Sequence, residues 1–450
     1  MSTAADRFPP QIKYIVWNEG AERFSFYGMR SILTVYMASY LAFPEHEAKG
    51  NYHLFLAICY LTPLLGAFLA DRVFGRYRII LWVSLGYVFG HALMAAWETR
   101  WGLFFALSFI ALGSGGIKPC VSALVGDQFK PEQSGALQRV YNLFYWMINL
   151  GSVTSTLLIP VLFKRYGPSV AFAVPGLFMV VALAIFFAGR KQYVRMPPAG
   201  PDPHSFVRVV WTALNRIGTR PGHWLDGALH LHPPAAVDGA KAVFRIMGVF
   251  VAVTAFWALF DQHGSSWVLQ AQRMDLQVWG YTLQASQLSA LNPWMVLLII
   301  PFFSVVLFPL LEKAGLKVTP LGKMSVGMFV TVLSFVAATV VDVLLASGMR
   351  PNALWQIPQY LLLTAAEVLV SVTGLEFSYT QAPRSMKSTI MSIWFLTIFA
   401  GNMLTGLVSK LNFFQGWGYF AFFSLLMLAA AVGFALIARR YQPYRPPEAA

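Results

Sequence analysis

Trp17-Asn18-Glu19-Gly20-Ala21-Glu22-Arg23-Phe24-Ser25-Phe26-Tyr27-Gly28-Met29-Arg30 sets four charges inside the first long apolar segment, residues 12–41. A helix of about 20 residues crosses a bilayer, so the segment is long enough to span one. Each unpaired charge at the bilayer centre costs about 2.5–3.5 kcal/mol, so four would cost on the order of 10 kcal/mol. The segment can span only if its charges pair or face water. Glu19, Glu22 and Arg23 stand at i, i+3 and i+4, and Arg30 lies seven beyond Arg23, so all share one helical face. A charged stripe on a spanning helix implies a polar cavity inside a membrane protein.

Composition points the same way. Of 450 residues, 57% are hydrophobic and 12% charged, and mean hydropathy is +0.59, values of a polytopic membrane protein. The net charge of +14 is not gathered into a basic face, so nucleic acid is not an expected partner. Cys59 and Cys120 both fall in apolar segments and imply no disulfide framework. The first apolar run is too long and too charged for a signal peptide and should remain as the first span.

Twelve apolar runs reach spanning length: 12–41, 52–70, 77–97, 102–124, 137–162, 169–189, 242–271, 293–311, 322–346, 357–380, 387–409 and 417–438. Six precede and six follow a polar connection rich in Pro, Arg and His. The expected organisation is a six-helix bundle over 1–190, a connection over 191–241 and a second six-helix bundle over 242–450. This is the outline of a transporter. With both termini and the connection cytoplasmic, most loop cations lie inside, among them Arg72, Arg76, Lys313, Lys317, Arg220, Arg384 and Arg445. Only Lys49, Arg100, Lys164, Arg165, Arg273, Arg350 and Lys410 remain outside. Ser205–Arg216 reads either as an amphipathic helix on the membrane surface or as a plain linker helix.

Further charges stand inside spans. Lys118 follows Gly113-Ser114-Gly115-Gly116-Ile117 and precedes Pro119 in span 4. A lysine near a span end ordinarily snorkels to the interface. Lys118 has a dozen apolar or small residues before it, and span 1 offers carboxylates to pair with it. Asp261 in span 7 and Glu367 in span 10 have no basic neighbour in sequence. Each must be protonated, paired across the bundle or bound to a cationic substrate group, unless it is a structural buried carboxylate. Asp342, near the end of span 9, reads as an interfacial residue.

The loop Gly66-Ala67-Phe68-Leu69-Ala70-Asp71-Arg72-Val73-Phe74-Gly75-Arg76 resembles the signature of the major facilitator superfamily. Glu-x-x-Glu-Arg with Phe24–Arg30, the span-4 glycines with Lys118, Phe144-Tyr145-Trp146-Met147-Ile148-Asn149-Leu150-Gly151-Ser152, and Phe256-Trp257-Ala258-Leu259-Phe260-Asp261-Gln262-His263-Gly264-Ser265 narrow the resemblance. Together they resemble the proton-dependent oligopeptide transporter family, over nearly the whole chain and in family order. The resemblance implies an all-α integral membrane protein of the major facilitator fold, with twelve transmembrane helices in two six-helix bundles. It implies a proton-coupled symporter of di- and tripeptides, and of peptide-like drugs, working by alternating access as a monomer in the cell (inner or plasma) membrane. No cofactor is implied; the proton gradient is the energy source, in keeping with the lack of a phosphate-binding Gly-x-x-x-x-Gly-Lys-Ser/Thr loop.

By that resemblance, Arg30, Lys118, Asn149, Asn292 and Glu367 contact peptide termini or backbone, while Tyr27, Tyr60, Trp257 and Trp394 line side-chain pockets. From the residues themselves, Glu19, Glu22, Arg23 and Asp261 are expected to serve proton coupling and gating, and His53 joins them by resemblance to animal members. Glu22 is the preferred proton site because it adjoins Arg23 and can exchange partners within one helical turn, and Asp261 is a second titrating group paired with Arg30 when the outer side closes. For His53 an interfacial role stays open. Phe26 replaces the first tyrosine of the common Tyr-Tyr-Gly motif. Ser266 and Ser304 stand where animal members have an arginine and an aspartate. The residues also weigh against other classes. The eight histidines form no catalytic or metal-ligand pattern of a membrane enzyme, a channel would need a conducting pore, and the Glu-x-x-Glu-Arg motif favours peptides over nitrate.

Overall fold

A run of more than about 20 apolar residues can satisfy its backbone in lipid only as a helix, and the chain is helical almost throughout. The structure, a computed structural model, describes residues 8–200, 202–216, 222–381, 383 and 386–441. Arg220, Arg384 and Arg445 of the charge count lie outside these. The first half contains α1 (Ile12–Val35), α2 (Glu45–Leu69), α3 (Arg76–Ala96), α4 (Arg100–Asp127) and α5 (Ser134–Ala188). α5 is two spans in one: Gly167 takes φ +80 between them, a conformation open to glycine because it has no Cβ, and Pro168 follows.

The connection carries α6 (Phe206–Leu214). The second half contains α7 (Pro234–Phe260), α8 (Ser266–Gln272), α9 (Leu291–Phe302), α10 (Phe308–Lys313), α11 (Pro320–Ala346), α12 (Ile357–Glu367), α13 (Thr373–Gln381), α14 (Lys387–Leu411) and α15 (Trp417–Arg440). Here 3-10 or π turns join shorter helices into single spans: α7 runs through Asp261–Gly264 into α8, and α12 through Val368–Val372 into α13. Ten helical stretches among the described residues are long and apolar enough to cross a membrane on composition alone. α1 with its charges, and the second span of α5, complete twelve.

Two spans start earlier than their hydropathy. Pro44 precedes α2, whose first turn holds Glu45 and Glu47, carboxylates that favour a helix N-terminus. Pro233 and Pro234 likewise start α7 ahead of residue 242. The first half closes around a core from Ile12 to Tyr193, and the second around a separate core from Val243 to Phe434. α1 packs on α5, and α3 and α2 on α4; α11 packs on α15 and α7 on α14; α2 meets α14 across the halves. Large apolar side chains such as Trp101, Leu177, Leu298 and Val305 point outward, the surface a lipid-facing bundle needs. Six spans before the connection and six after it put residues 8 and 441 and the connection on one side.

The connection is fastened to both halves. Ala199 N–H donates to the Asp71 carbonyl at 2.8 Å, and Lys241 of α7 pairs with Asp226 at 2.7 Å. α6 buries Val209 and Ala213 against Leu225 and Val237, yet leaves Val207, Trp211 and Leu214 exposed. Spaced i, i+4 and i+7, these form a second apolar stripe that stays exposed, so the helix packs on the connection by one face and leaves another apolar face uncovered. His232 Nδ1 lies 3.0 Å from His204 Nδ1. Burial, and then the neighbouring His204, hold the His232 imidazole below its ordinary pKa.

Candidate substrate cavity

α1 brings its charged face to the middle of the first half because its small residues let α5 close behind it. A Cβ on Gly151 would lie 2.8 Å from the Gly20 carbonyl. Glu19, Glu22 and Arg23 are thereby buried. Arg23 Nε is 2.6 Å from Glu22 Oε2 and 2.9 Å from Glu19 Oε1, although its N–H aligns with neither as a directed hydrogen bond. We read the trio as ionic pairing, since both distances are in contact range.

Lys118 does not join them, contrary to the expected pairing with a span-1 carboxylate. Its ammonium has no hydrogen-bond partner among the described residues. It stands 4.4 Å from the Phe26 ring centre and 4.5 Å from that of Tyr60, a cation–π position that partly replaces a counter-ion. The ring at the position of the missing tyrosine hydroxyl thus forms half of the ammonium's seat.

A central cavity of about 220 Å³ lies between the halves. Of the residues expected to bind substrate, Tyr27, Arg30, Tyr60, Asn149, Trp257, Asn292 and Glu367 line it, together with Asp261. Lys118 does not; it lines a second cavity of about 730 Å³ with Asp71, Arg76, Ser388 and Phe395. The expectation for Trp394 is also corrected. It is 3% exposed and stands edge-on behind Trp257, ring centres 6.0 Å apart, so it supports the cavity wall without being part of it.

On the far side, away from the termini, the halves are joined by a continuous polar chain. Arg30 donates through Nε to the Tyr52 hydroxyl and through Nη2 to Asp261 Oδ1, both at 2.6 Å. Asp261 Oδ2 accepts from Asn402 Nδ2 at 2.7 Å. Asn402 Oδ1 is 2.8 Å from His53 Nδ1, and His53 Nε2 is 2.8 Å from the Ser265 hydroxyl. Because the Asn402 nitrogen donates to Asp261 and to the Ile398 carbonyl, its oxygen must accept. His53 therefore carries hydrogen on Nδ1 and accepts from Ser265 when neutral. Thr34 donates to the Gly264 carbonyl beside this chain, and Gln287 to the Leu157 carbonyl.

His53 is fully buried, two turns inside α2. The interfacial alternative fails because α2 begins at Glu45 rather than near residue 52. Asp342 is likewise not interfacial: it is 1% exposed and accepts from Arg273 and from Gln270.

At the opposite wall, Glu367 Oε2 accepts from Asn292 Nδ2 at 2.8 Å, just before the π turn at Val368, a break in helix regularity common at functional sites. Tyr52, Tyr145, Thr156, His263 and Ser289 also line the central cavity without having been singled out. Asn402, a lone amide in the middle of an apolar run, carried a signal. The tyrosines carried none that separates them from packing residues.

A profile of the POT family matches residues 77–413, well over half of the chain. The chain belongs to the POT family. Among POT family relatives, rat solute carrier family 15 member 2 (Rattus norvegicus) is 29% identical over 97% of this chain and 90% of its own length. The crystal structure of the POT family transporter PepTSo matches with a TM-score of 0.92 at 38% identity, over 97% of this chain and 99% of that one. A crystal structure of a proton dependent oligopeptide (POT) family transporter matches with a TM-score of 0.78 at 39% identity, over 94% and 100%. The fold is therefore the major facilitator fold of these transporters, and the chain is a multi-pass membrane protein.

Proposed function

We propose that the chain is a proton-coupled symporter, not an enzyme, that imports di- and tripeptides, and peptide-like drugs, by alternating access of its halves. The cell membrane would hold it as a monomer, with the termini, and the connection over 191–241, in the cytoplasm. No resident cofactor is invoked; the proton gradient supplies the energy. The carrying observation is one cavity with a guanidinium from the first half and a carboxylate from the second. A dipeptide is a zwitterion, and such a site receives both ends. Glu367 takes the ammonium, Arg30 the carboxylate, and Asn149 and Asn292 the backbone amide. The aromatic walls of Tyr27, Tyr60 and Trp257 tolerate varied side chains.

The arrangement supports an inward-open reading. The polar chain from Tyr52 to Ser265 closes the far side, while the larger cavity lies between α2, α4 and α14 toward the termini. Arg30 and Asp261 act as the closing pair in this state. In this reading Glu22 takes up and gives back the proton while Arg23, always charged, is its counter-ion with Glu19 beside them, and His53 and Asp261 are further titratable groups.

The test is uptake of labelled dialanine by proteoliposomes under an inward proton gradient. Uptake against the peptide gradient that collapses with a protonophore is expected; its absence overturns the reading. Glu367→Gln should weaken free peptides about tenfold or more while barely affecting N-acetylated ones, the worth of one charged hydrogen bond. Equal losses would confine Glu367 to a structural role.

A further inference from the structure

Three histidines lie buried within the spans, and they differ in what their ring nitrogens do. His53 uses both, on Asn402 and Ser265. His91 meets Ser25 and stacks on Tyr87, away from the central cavity. His263 lines that cavity, from the short turn Asp261–Gly264. Its Nδ1 is 2.7 Å from the Phe260 carbonyl oxygen. A carbonyl only accepts, so Nδ1 carries a hydrogen, and the neutral ring then presents Nε2 as a bare acceptor. Nε2 has no partner among the described residues. Phe260 and Tyr360 hold the ring edgewise, with centres 5.1 and 6.4 Å away, and Tyr360 also donates to the His263 carbonyl. The residue is 8% exposed, an accessibility consistent with the cavity it lines.

The geometry points to His263 as a specificity-determining residue whose Nε2 accepts a hydrogen bond from a donor on a substrate side chain: hydroxyl, amide or ammonium. This rests on the peptide-transport reading above. That reading assigns the peptide's ammonium to Glu367, its carboxylate to Arg30 and its amide to the two asparagines, so the donors left for His263 belong to side chains. A rigid acceptor on a nearly buried residue discriminates because an apolar substrate of the same shape leaves it unpaired.

Threonine and valine are near-isosteric, so the test compares Ala-Thr with Ala-Val and Thr-Ala with Val-Ala as competitors of labelled dialanine uptake. The native chain should prefer the threonine member of at least one pair by about five- to tenfold. His263→Leu should bring that ratio close to one. His263→Gln, whose amide oxygen still accepts, should keep most of it. His263→Phe, which keeps a ring between Phe260 and Tyr360, is read in the same way should the leucine variant fail to reach the membrane. A native ratio near one in both pairs overturns the proposal, as does a preference that survives in His263→Leu or His263→Phe. Dialanine uptake with a ratio of one removes only the role of His263; absence of all dipeptide uptake removes the transport reading and this one with it.

Discussion

Glu22 is fully buried against Arg23 and one helical turn from Glu19, so its charge is tolerable only while a cation stays at hand. On the proposed coupling, a proton arriving on Glu22 leaves Arg23 with Glu19 as its one remaining carboxylate among the described residues, and linkage would make proton and peptide carboxylate favour each other's binding. Glu22→Gln fixes the neutral form. It should abolish uphill accumulation of labelled dialanine while leaving exchange of labelled for unlabelled peptide across the membrane. Accumulation at the native level would move coupling to Asp261 or His53. The residue scale is also where sequence reading separates what it can reach from what it cannot. Charges in apolar runs announce themselves by their cost, and so Arg30, Asp261 and Glu367 were legible. The seating of Lys118 on two rings, and the place of Trp394 behind the wall, depend on rotamers and neighbours from distant spans, which spacing does not encode.

At the scale of elements, the pair α1 and α5 decides whether the charges sit where they can work. Both carry small residues at their contact, and the backbone of Gly20 is within 2.8 Å of any Cβ built on Gly151. Gly151→Val should force the helices apart, destabilise the protein by about 1–3 kcal/mol and lower its melting temperature in detergent together with peptide uptake. Gly86→Ala, where nothing lies within 4 Å of the added carbon, is the control and should leave the melting temperature nearly unchanged. An unaltered melting temperature for Gly151→Val would show that the contact relaxes freely. Spans were legible from hydropathy, and their starts were not: proline and acidic first turns extend α2 and α7 beyond their apolar cores, which is why His53 looks terminal in sequence and is interior in the fold.

For the molecule as a whole, the larger cavity opens toward the side of the termini, bounded by α2 and α4 on one flank and α14 on the other. With that side cytoplasmic, Ser388→Cys should react with a membrane-impermeant thiol reagent in inside-out vesicles, while His46→Cys should react in intact cells. Each needs a background lacking Cys59 and Cys120, both of which are buried. The reverse pattern would invert the orientation. Saturating peptide should change the rate at Ser388→Cys as the population shifts between states. The two-bundle plan was legible because six runs flank a polar connection; which side stands open was not, since both states share one sequence and one set of spans.

Arg30 spends two of its donors on Tyr52 and Asp261 in this conformation. On the proposed orientation, a peptide arriving from the cytoplasm would meet a guanidinium already engaged, whereas one arriving after the far side opens would meet it free. The carrier should be kinetically lopsided: half-saturation for efflux should lie roughly tenfold or more above that for influx when each is measured into an empty compartment. Microscopic reversibility requires a matching bias of the empty protein, toward the state in which Arg30 and Asp261 are joined. Asp261→Asn, by weakening that embrace, should bring the two half-saturation values toward each other.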